Sequence, residues 1–419
     1  MLNKLKIVFT DKDLRKKILF VVLALFVFRL LAAIPIPGID AAKLSSFLNN
    51  NQFLGVLNIF SGGGLSNLSI IMMGVGPYIT ASIILQLLTI MFPRLKALSE
   101  EGDAGRQKLT NYSRFLTVPL AALQAFGLLT LLSRQGIIGD LSAMGWITSI
   151  TVAVAGSMLL MWLGELISEY GIGNGVSLII FAGIVSRLPG DVSQLLFTFD
   201  ISQLPVYLAF LAGAILIIAG VIYITEAERP VPVTYAKQVR GMKVYGGVST
   251  YIPLRLNQAG VIPIIFALSL LMFPRLIGTL LAASHSALVA KIGTAMTSFT
   301  SGGIGYTITY FVLVFLFTYF YTAVTFDPDQ ISTNLQKNGA FIPGIRPGSS
   351  TAEYIAKILN RITLFGALFL GIIAVLPLIL TGVTGIQGLA LGGTALLIVV
   401  SVVLDLAKKI DSQISMKEY

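Results

Sequence analysis

Glu165 and Glu169 stand four residues apart in a run that reads as helix, so both project from one face. Carboxylates paired in this way can serve as general acid and base. Their setting argues for a plainer role, because they close the apolar run Ile147–Ile167 at the end where exposed charge is ordinary. A single histidine, His285, and no cysteine leave no imidazole or thiolate set for a metal. No Gly is followed by Lys, so a G-x-x-x-x-G-K-[ST] phosphate loop is excluded; H-E-x-x-H and G-x-S-x-G are also absent. GIGNG at Gly171–Gly175 is glycine-rich but lacks the spacing of a dinucleotide turn, and reads as a tight turn between helices. The expectation is no catalytic residue, no metal and no cofactor, with any energy supplied by a partner.

Composition places these residues in a membrane. Of 419 residues, 55% are hydrophobic and only 11% are charged, against about 25% charged in soluble domains. The polar residues inside apolar runs are few: Arg29, Gln86, Gln124, Glu165 and the pair Asn257-Gln258. No Asp or Glu lies in the central part of any run, which argues against an ion-coupled permease and for a path lined by apolar side chains. Two readings of Arg29 stay open, a side chain snorkelling to the interface or a charge facing the bundle interior.

The elements that position these residues are organised around Phe53–Phe92. Phe53–Leu65 is apolar, ends in Gly62-Gly63-Gly64, and is shorter than the roughly 20 residues that a crossing needs. It is either an interfacial or re-entrant packing element, or a stopper that folds back. Ser69–Phe92 is long enough to span. Val75, Ile79, Ser82 and Gln86 fall at i, i+4, i+7 and i+11, on one face that is apolar toward one end and polar toward the other. Gln86 has no place against lipid, whereas a closable, water-accessible path can use it.

Further apolar runs at Ile18–Ile34, Phe115–Leu132, Ile147–Ile167, Val176–Leu188, Leu204–Ile224, Val261–Leu281, Tyr306–Phe326, Ile362–Leu380 and Leu389–Leu406 bring the expected crossings to ten. With the N-terminus inside, 23 basic residues fall on one side and 5 on the other, which puts both termini in the cytoplasm. Met1–Lys17 is polar and basic and leads straight into a full span, so no cleavable signal peptide is expected. The net charge of +10 also points to anionic lipid or an acidic partner. Two cytoplasmic loops, about 228–258 and about 328–361, are far longer than the usual 2–8 residues between packed helices. In the first, Val231, Val233, Val244 and Val248 alternate with polar residues and predict a hairpin. Ten spans divide into halves at 1–200 and 201–419; each half starts inside, so the two are inverted and a path is expected between them.

FSGGGLSNLSI followed by GPYITASIILQLL resembles the plug and second transmembrane helix of the SecY/Sec61-alpha family, the central subunits of Sec protein-conducting channels. IPIPGID, EGDAGRQKLTNYSRF, GIGNGVSLIIFAGI, NQAGVIPIIFA, GAFIPGIRPG and GGTALLIVV resemble further segments of that family in the right order. The resemblance implies an all-α membrane protein, ten transmembrane helices in two inverted five-helix halves around a central pore, with a short plug helix. It implies a passive channel in the bacterial cytoplasmic membrane, moving unfolded polypeptides across and releasing hydrophobic segments sideways into lipid. A small-solute secondary transporter with inverted repeats is the alternative. By position, the pore ring falls on Val75, Ile79, Val176, Ile180, Ile265 and Ile398. The plug falls on about 53–65, with Phe53, Leu57, Phe60, Gly62, Gly63 and Gly64. The lateral gate takes Thr80, Gln86 and Asn257, and partner docking takes Lys237, Arg240, Lys243 and Arg346. The family usually carries two basic residues after the glycine of the first docking loop, where this chain has Met242 before Lys243. The implied partners are the small subunits SecE and SecG, the SecA motor ATPase, the ribosome and signal-peptide-bearing polypeptides, with no sequence-specific nucleic acid.

Overall fold

In the computed structural model the described residues are 11–36, 58, 61–134, 136–139, 142–186, 188–190, 193, 204–235, 238–240, 243–245, 249–282, 286–300, 303–384 and 388–415. The expected site residues Phe53, Leu57, Phe60 and Lys237, and the lone His285, lie outside them.

The helices, in chain order, are α1 (Lys12–Ala32), α2 (Gly76–Met91), α3 (Pro93–Glu100), α4 (Asp103–Arg134), α5 (Ala143–Tyr170), α6 (Gly175–Val185), α7 (Leu204–Glu226), α8 (Ile262–Leu281), α9 (Ala287–Thr300), α10 (Ile304–Thr325), α11 (Pro328–Lys337), α12 (Ser349–Thr384) and α13 (Gly388–Ser415). Their starts are written locally. Asp11 accepts from the backbone of Asp13 and Leu14 at the head of α1, and Asn174 Oδ1 accepts from Ser177 N at 3.1 Å at the head of α6. Asp327 caps α11 with Pro328 in its first turn.

Each of the ten apolar runs lies over a helix. Among the described residues, five segments are long and apolar enough by themselves to cross a membrane: Asp103–Ser133, Ala143–Tyr170, Ile262–Thr279, Ile304–Lys337 and Ser349–Leu376. A sixth arises if Gly76–Met91 and Pro93–Ser99, bent by 110° at Phe92, count as one. α6 is too short at 11 residues.

The protein is mostly helical, with small sheets added to the all-α expectation. Strands β1 (Glu228–Tyr235), β2 (Gln238–Arg240), β3 (Lys243–Tyr245), β4 (Ser249–Arg255) and β5 (Ala340–Phe341) form a three-stranded sheet, β4-β1-β5, and a two-stranded ribbon, β2-β3. The hairpin expected in the first long loop is the antiparallel β1–β4 pair, with Val231 opposite Ile252 and Val233 opposite Thr250. β5 comes from the second long loop and pairs Thr234 with Phe341 and Tyr235 with Ala340. β1 carries Pro230 and Pro232, which have no N–H to donate, and β5 pairs only beyond them.

The chain divides into two compact units. The first comprises Met1–Phe210, Leu268–Thr307 and Pro377–Tyr419; the second comprises Leu211–Ala267 and Ile308–Leu376. In the first unit α2 packs against α4 and α5, α1 against α5 and α6, and α6 against α5 and α13. These approaches are close because glycines face backbone: a Cβ on Gly175 would strike the Gly164 carbonyl oxygen, and one on Gly156 would strike the Ile70 carbonyl oxygen. In the second unit Val231, Val233, Leu254, Ala340 and Ile342 bury one sheet face against Ile355, Ile358 and Ile362 of α12.

Candidate functional site

The glycine-rich end of the expected plug is held from several directions. Gly62 and Gly63 have φ of 64° and 84°, a region that glycine occupies without the Cβ penalty of other residues. Gly63 N donates to the Asn58 carbonyl oxygen at 2.8 Å, and Ser66 N donates to Asn58 Oδ1 at 3.0 Å. Ser61 Oγ donates to the same Asn58 carbonyl at 3.1 Å and accepts from Leu65 N at 3.0 Å. A Cβ on Gly62 would enter the ring of Phe28, and Arg29 Nη1 donates to the Gly62 carbonyl oxygen at 3.3 Å. This bond gives Arg29 a defined partner while its side chain stays exposed. The chain then pairs with the residues that follow α1: Ile36 N donates to the Leu68 carbonyl at 2.9 Å, and Ile70 N to the Ile34 carbonyl at 3.1 Å.

The span expected to begin at Ser69 begins as helix only at Gly76. Ser61–Val75 is a succession of turns, with Leu68 at φ 40° and Gly74 at φ 61°. Those two left-handed residues, and Pro77 in the first turn of α2, stop the helix from extending backward. Leu65, Leu68, Met72 and Met73 pack with Leu128, Leu129 and Leu132 of α4 and Ala153 of α5 in one apolar cluster. Apolar composition made this segment read as membrane helix; it is instead core.

Five of the six expected ring residues are buried. Val75, Ile79, Ile180 and Ile398 are 0%, 8%, 1% and 2% exposed in the first unit, and Ile265 is 6% exposed in the second. Val176 is half-buried, and a Cβ on Gly164 of α5 would lie 3.2 Å from its Cγ2. Val75 caps α2, and its carbonyl accepts from Ile79 N at 3.0 Å, so the i, i+4 relation holds at the helix start. Ile180 on α6 and Ile398 on α13 sit on helices that pack together.

Two of the three expected gate residues, Gln86 and Asn257, carry unmet hydrogen-bonding capacity, and so does the neighbouring Gln258. Thr80 is buried. Gln86 Oε1, Asn257 Oδ1 and Gln258 Nε2 are buried and have no partner among the described residues, while Asn257 Nδ2 donates to the Gly260 carbonyl at 3.2 Å. A buried polar atom left unpaired costs about 1–3 kcal/mol, so these positions are expensive unless another state or another molecule supplies partners.

Of the docking residues, Arg240 and Lys243 face each other in register across the β2–β3 ribbon. Arg346 is exposed, and its loop is braced: Thr351 Oγ1 donates to the Arg346 carbonyl at 2.8 Å, and Ser332 Oγ to the Gly348 carbonyl at 2.6 Å. Gly344 and Gly348, at φ 82° and 99°, turn the chain on either side of it. Glu165 belongs to an ion pair with α4. Arg114 Nε donates to Glu165 Oε1 at 3.0 Å and Nη2 to Oε2 at 2.8 Å, while Nη1 donates to Asn111 Oδ1 at 3.1 Å. A bidentate guanidinium occupies both oxygens that acid–base chemistry would use. The sequence reading missed Phe28, Asn58, Ser61 and Arg114. Asn58 and Ser61 beside Gly62 carry a turn signal, whereas Phe28 and Arg114 act across long sequence separations.

A protein-family model described as SecY matches residues 69–407. The protein translocase subunit SecY of Mycobacterium tuberculosis is 43% identical over 430 residues, covering 97% of this chain and 96% of that protein. The protein of the same description from Thermus thermophilus is 43% identical, covering 97% and 94%. A solved structure described as "The structure of a protein conducting channel" aligns with a TM-score of 0.64 at 19% identity, over 96% of this chain and 93% of that one. "Sec61 in the Canine ribosome-channel complex from the endoplasmic reticulum" aligns with a TM-score of 0.61 over the same shares. The two structures establish likeness of fold.

Proposed function

This chain belongs to the SecY family, and on that premise we propose that it is the passive protein-conducting channel of a bacterial translocase. The observation that carries the reading is identity of 43% along 97% of the chain to proteins named as translocase subunits. In this reading ten helices cross the cytoplasmic membrane with both termini inside, and residues 1–200 and 201–419 form the inverted halves. Val75, Ile79, Val176, Ile180, Ile265 and Ile398 make the constriction. Branched apolar side chains suit that role: a ring of them dewets and blocks ions, yet offers no fixed hydrogen bonds to select among passing sequences. The segment about 53–65 is the plug, hinged at Gly62–Gly64 and latched to α1 through Phe28 and Arg29.

Thr80, Gln86 and Asn257 line the lateral gate, whose unpaired polar atoms find partners in another gate state or in a substrate backbone. The β1–β5 sheet and the braced Arg346 loop form one docking platform, since the two long loops share a sheet and a core. It receives the SecA motor or the ribosome; SecE and SecG stabilise the channel; anionic lipid pairs with the basic cytoplasmic face. The test is reconstitution with the two small subunits in vesicles, with motor and ATP outside. A signal-bearing polypeptide should become protease-protected. Uptake of a small solute driven by an ion gradient, with no protected polypeptide, would overturn the reading in favour of a transporter.

A further inference from the structure

The helix α9, Ala287–Thr300, was expected neither as a span nor as a docking element, and its three faces differ sharply. One face packs on α8 through two glycines. A Cβ on Gly293 would collide with Ala282 N, and one on Gly278 would lie 2.9 Å from Met296 Cβ and 3.1 Å from Thr297 Cγ2. Gly293 is accordingly buried, and Met296 and Thr297 are half-buried. A second face is polar and exposed: Lys291, Thr294 and Ser298. The third face is apolar and equally exposed. Leu288 is 76% exposed, Ile292 56% and Phe299 46%, with exposed Ala295 between the last two. These four fall at i, i+4, i+7 and i+11, one narrow stripe on the helix.

The place of α9 in the chain says what covers that stripe. It joins the ends of two helices that each cross a membrane by length and composition, Ile262–Thr279 and the segment starting at Ile304. Its glycine contact lies in the last turns of α8, so it is clamped where that helix leaves the hydrocarbon. At 14 residues it spans about 21 Å and cannot itself cross a core about 30 Å thick. The adjoining ends of both helices also expose apolar side chains, Ile277, 43% exposed at the end of α8, and Ile304, 80% exposed at the start of α10, and a Cβ on Gly305 of α10 would lie 3.2 Å from the Phe299 ring.

We propose that α9 lies in the plane of the membrane interface, with Leu288, Ile292, Ala295 and Phe299 immersed in the acyl region of the lipid. Lys291 borders the stripe on the polar side and reaches the lipid phosphates with its ammonium while its stem covers apolar surface. The occupant is lipid and not a protein groove, because the helix that bears the stripe joins two crossing helices whose adjoining ends also expose apolar side chains. This inference uses only membrane insertion and does not depend on polypeptide conduction.

The chain has no cysteine, so single substitutions report cleanly. Leu288→Cys, Ile292→Cys and Phe299→Cys on one face, and Lys291→Cys, Thr294→Cys and Ser298→Cys on the other, are spin-labelled in the full chain with its small subunits. The vesicles contain phosphatidylethanolamine and phosphatidylglycerol. The ratio of oxygen to nickel-chelate accessibility should be several-fold higher at 288, 292 and 299 than at 291, 294 and 298. It should follow the helical period across the set. All six sites open to the nickel chelate would overturn the proposal, because the stripe would then face water. Stripe sites shielded from both reagents would also overturn it, because protein would then cover them. All six substituted positions are exposed, so the fold is not at stake in either result.

Discussion

Arg29 Nη1 donates to the carbonyl oxygen of Gly62 at 3.3 Å. The preceding side chain, Phe28, presses its ring on the same glycine and is itself 1% exposed. Two consecutive residues of α1 thus hold the hinge of the segment proposed to seal the pore, one by a charge-assisted bond and one by steric closure. The arrangement favours glycine at 62, because a φ of 64° strains other residues and a Cβ there would have to displace the Phe28 ring.

Gly62→Ala should therefore loosen the seal. Left-handed backbone costs an alanine about 1–2 kcal/mol, and the methyl must also displace Phe28. The expected outcome is a channel that inserts normally, melts at a lower temperature and shows a higher resting ion conductance in a planar bilayer. Arg29→Ala, losing one hydrogen bond worth about 0.5–1.5 kcal/mol, should raise conductance in the same direction but less. Resting conductance equal to that of the unaltered channel in both variants would remove the latch from the mechanism.

Much of the architecture was legible because membrane burial writes itself as long apolar runs, and a helix lies over each of the ten. What failed to show was made by single residues or by distant pairs. Ser69–Val75 is apolar enough to read as the start of a span, yet positive φ at Gly74, and at Leu68 just before it, makes it a run of turns with Met72 and Met73 in the core. The alternation of Val231 and Val233 revealed the hairpin, but β5, two residues long, carries no period that could announce its pairing with Thr234 and Tyr235. Glu165 and Glu169 were visible as a spacing. The partner of Glu165 is Arg114, 51 residues away on another helix, and no local pattern points there.

The Arg114–Glu165 pair should be worth little in stability despite its bidentate geometry. Its side chains are 44% and 19% exposed, so water screens much of the attraction. A double-mutant cycle with Arg114→Ala and Glu165→Ala should give a coupling of about 0.5–1 kcal/mol, and activity in polypeptide transport should survive Glu165→Gln. Loss of transport with Glu165→Gln at unchanged melting temperature would restore a chemical role to that carboxylate.

Arg346 sits at the tip of a braced loop, so its variants separate contact from scaffolding. Arg346→Glu should leave insertion and melting unchanged and abolish motor-driven export, because reversing an exposed charge disrupts a partner surface without disturbing a core. Ser332→Ala and Thr351→Ala each release one loop bond and should lower motor affinity modestly by letting the tip move. Export at the unaltered rate with Arg346→Glu would reject docking at this loop.

The ring makes the sharpest demand. Ile79, Ile180, Ile265 and Ile398 are 8%, 1%, 6% and 2% exposed. Burial of this kind is required both of a closed apolar constriction and of ordinary helix packing, so mutation must separate the two. Ile79 lies 15 residues from Arg94, Ile265 10 from Arg255 and Ile398 10 from Lys408. Only the Ile398–Lys408 stretch is continuous helix, about 15 Å at a rise of about 1.5 Å per residue; Ile79 lies 12 residues, about 18 Å, before the end of α2 at Met91, where the chain bends by 110°, and Ile265 lies in the first turn of α8. The proposed ring puts Ile79, Ile180, Ile265 and Ile398 around one aperture. Replacing all four by Ser should wet that aperture, so that the channel with residues 53–65 deleted conducts more ions and still passes polypeptide. If the four are packing residues only, the same changes leave cavities and buried hydroxyls, and the protein loses several kcal/mol without opening a path. Conductance and melting temperature are to be measured on the same preparation. Raised conductance is the expected result, whereas a lowered melting temperature with conductance unchanged would assign these side chains to the core and place the constriction elsewhere.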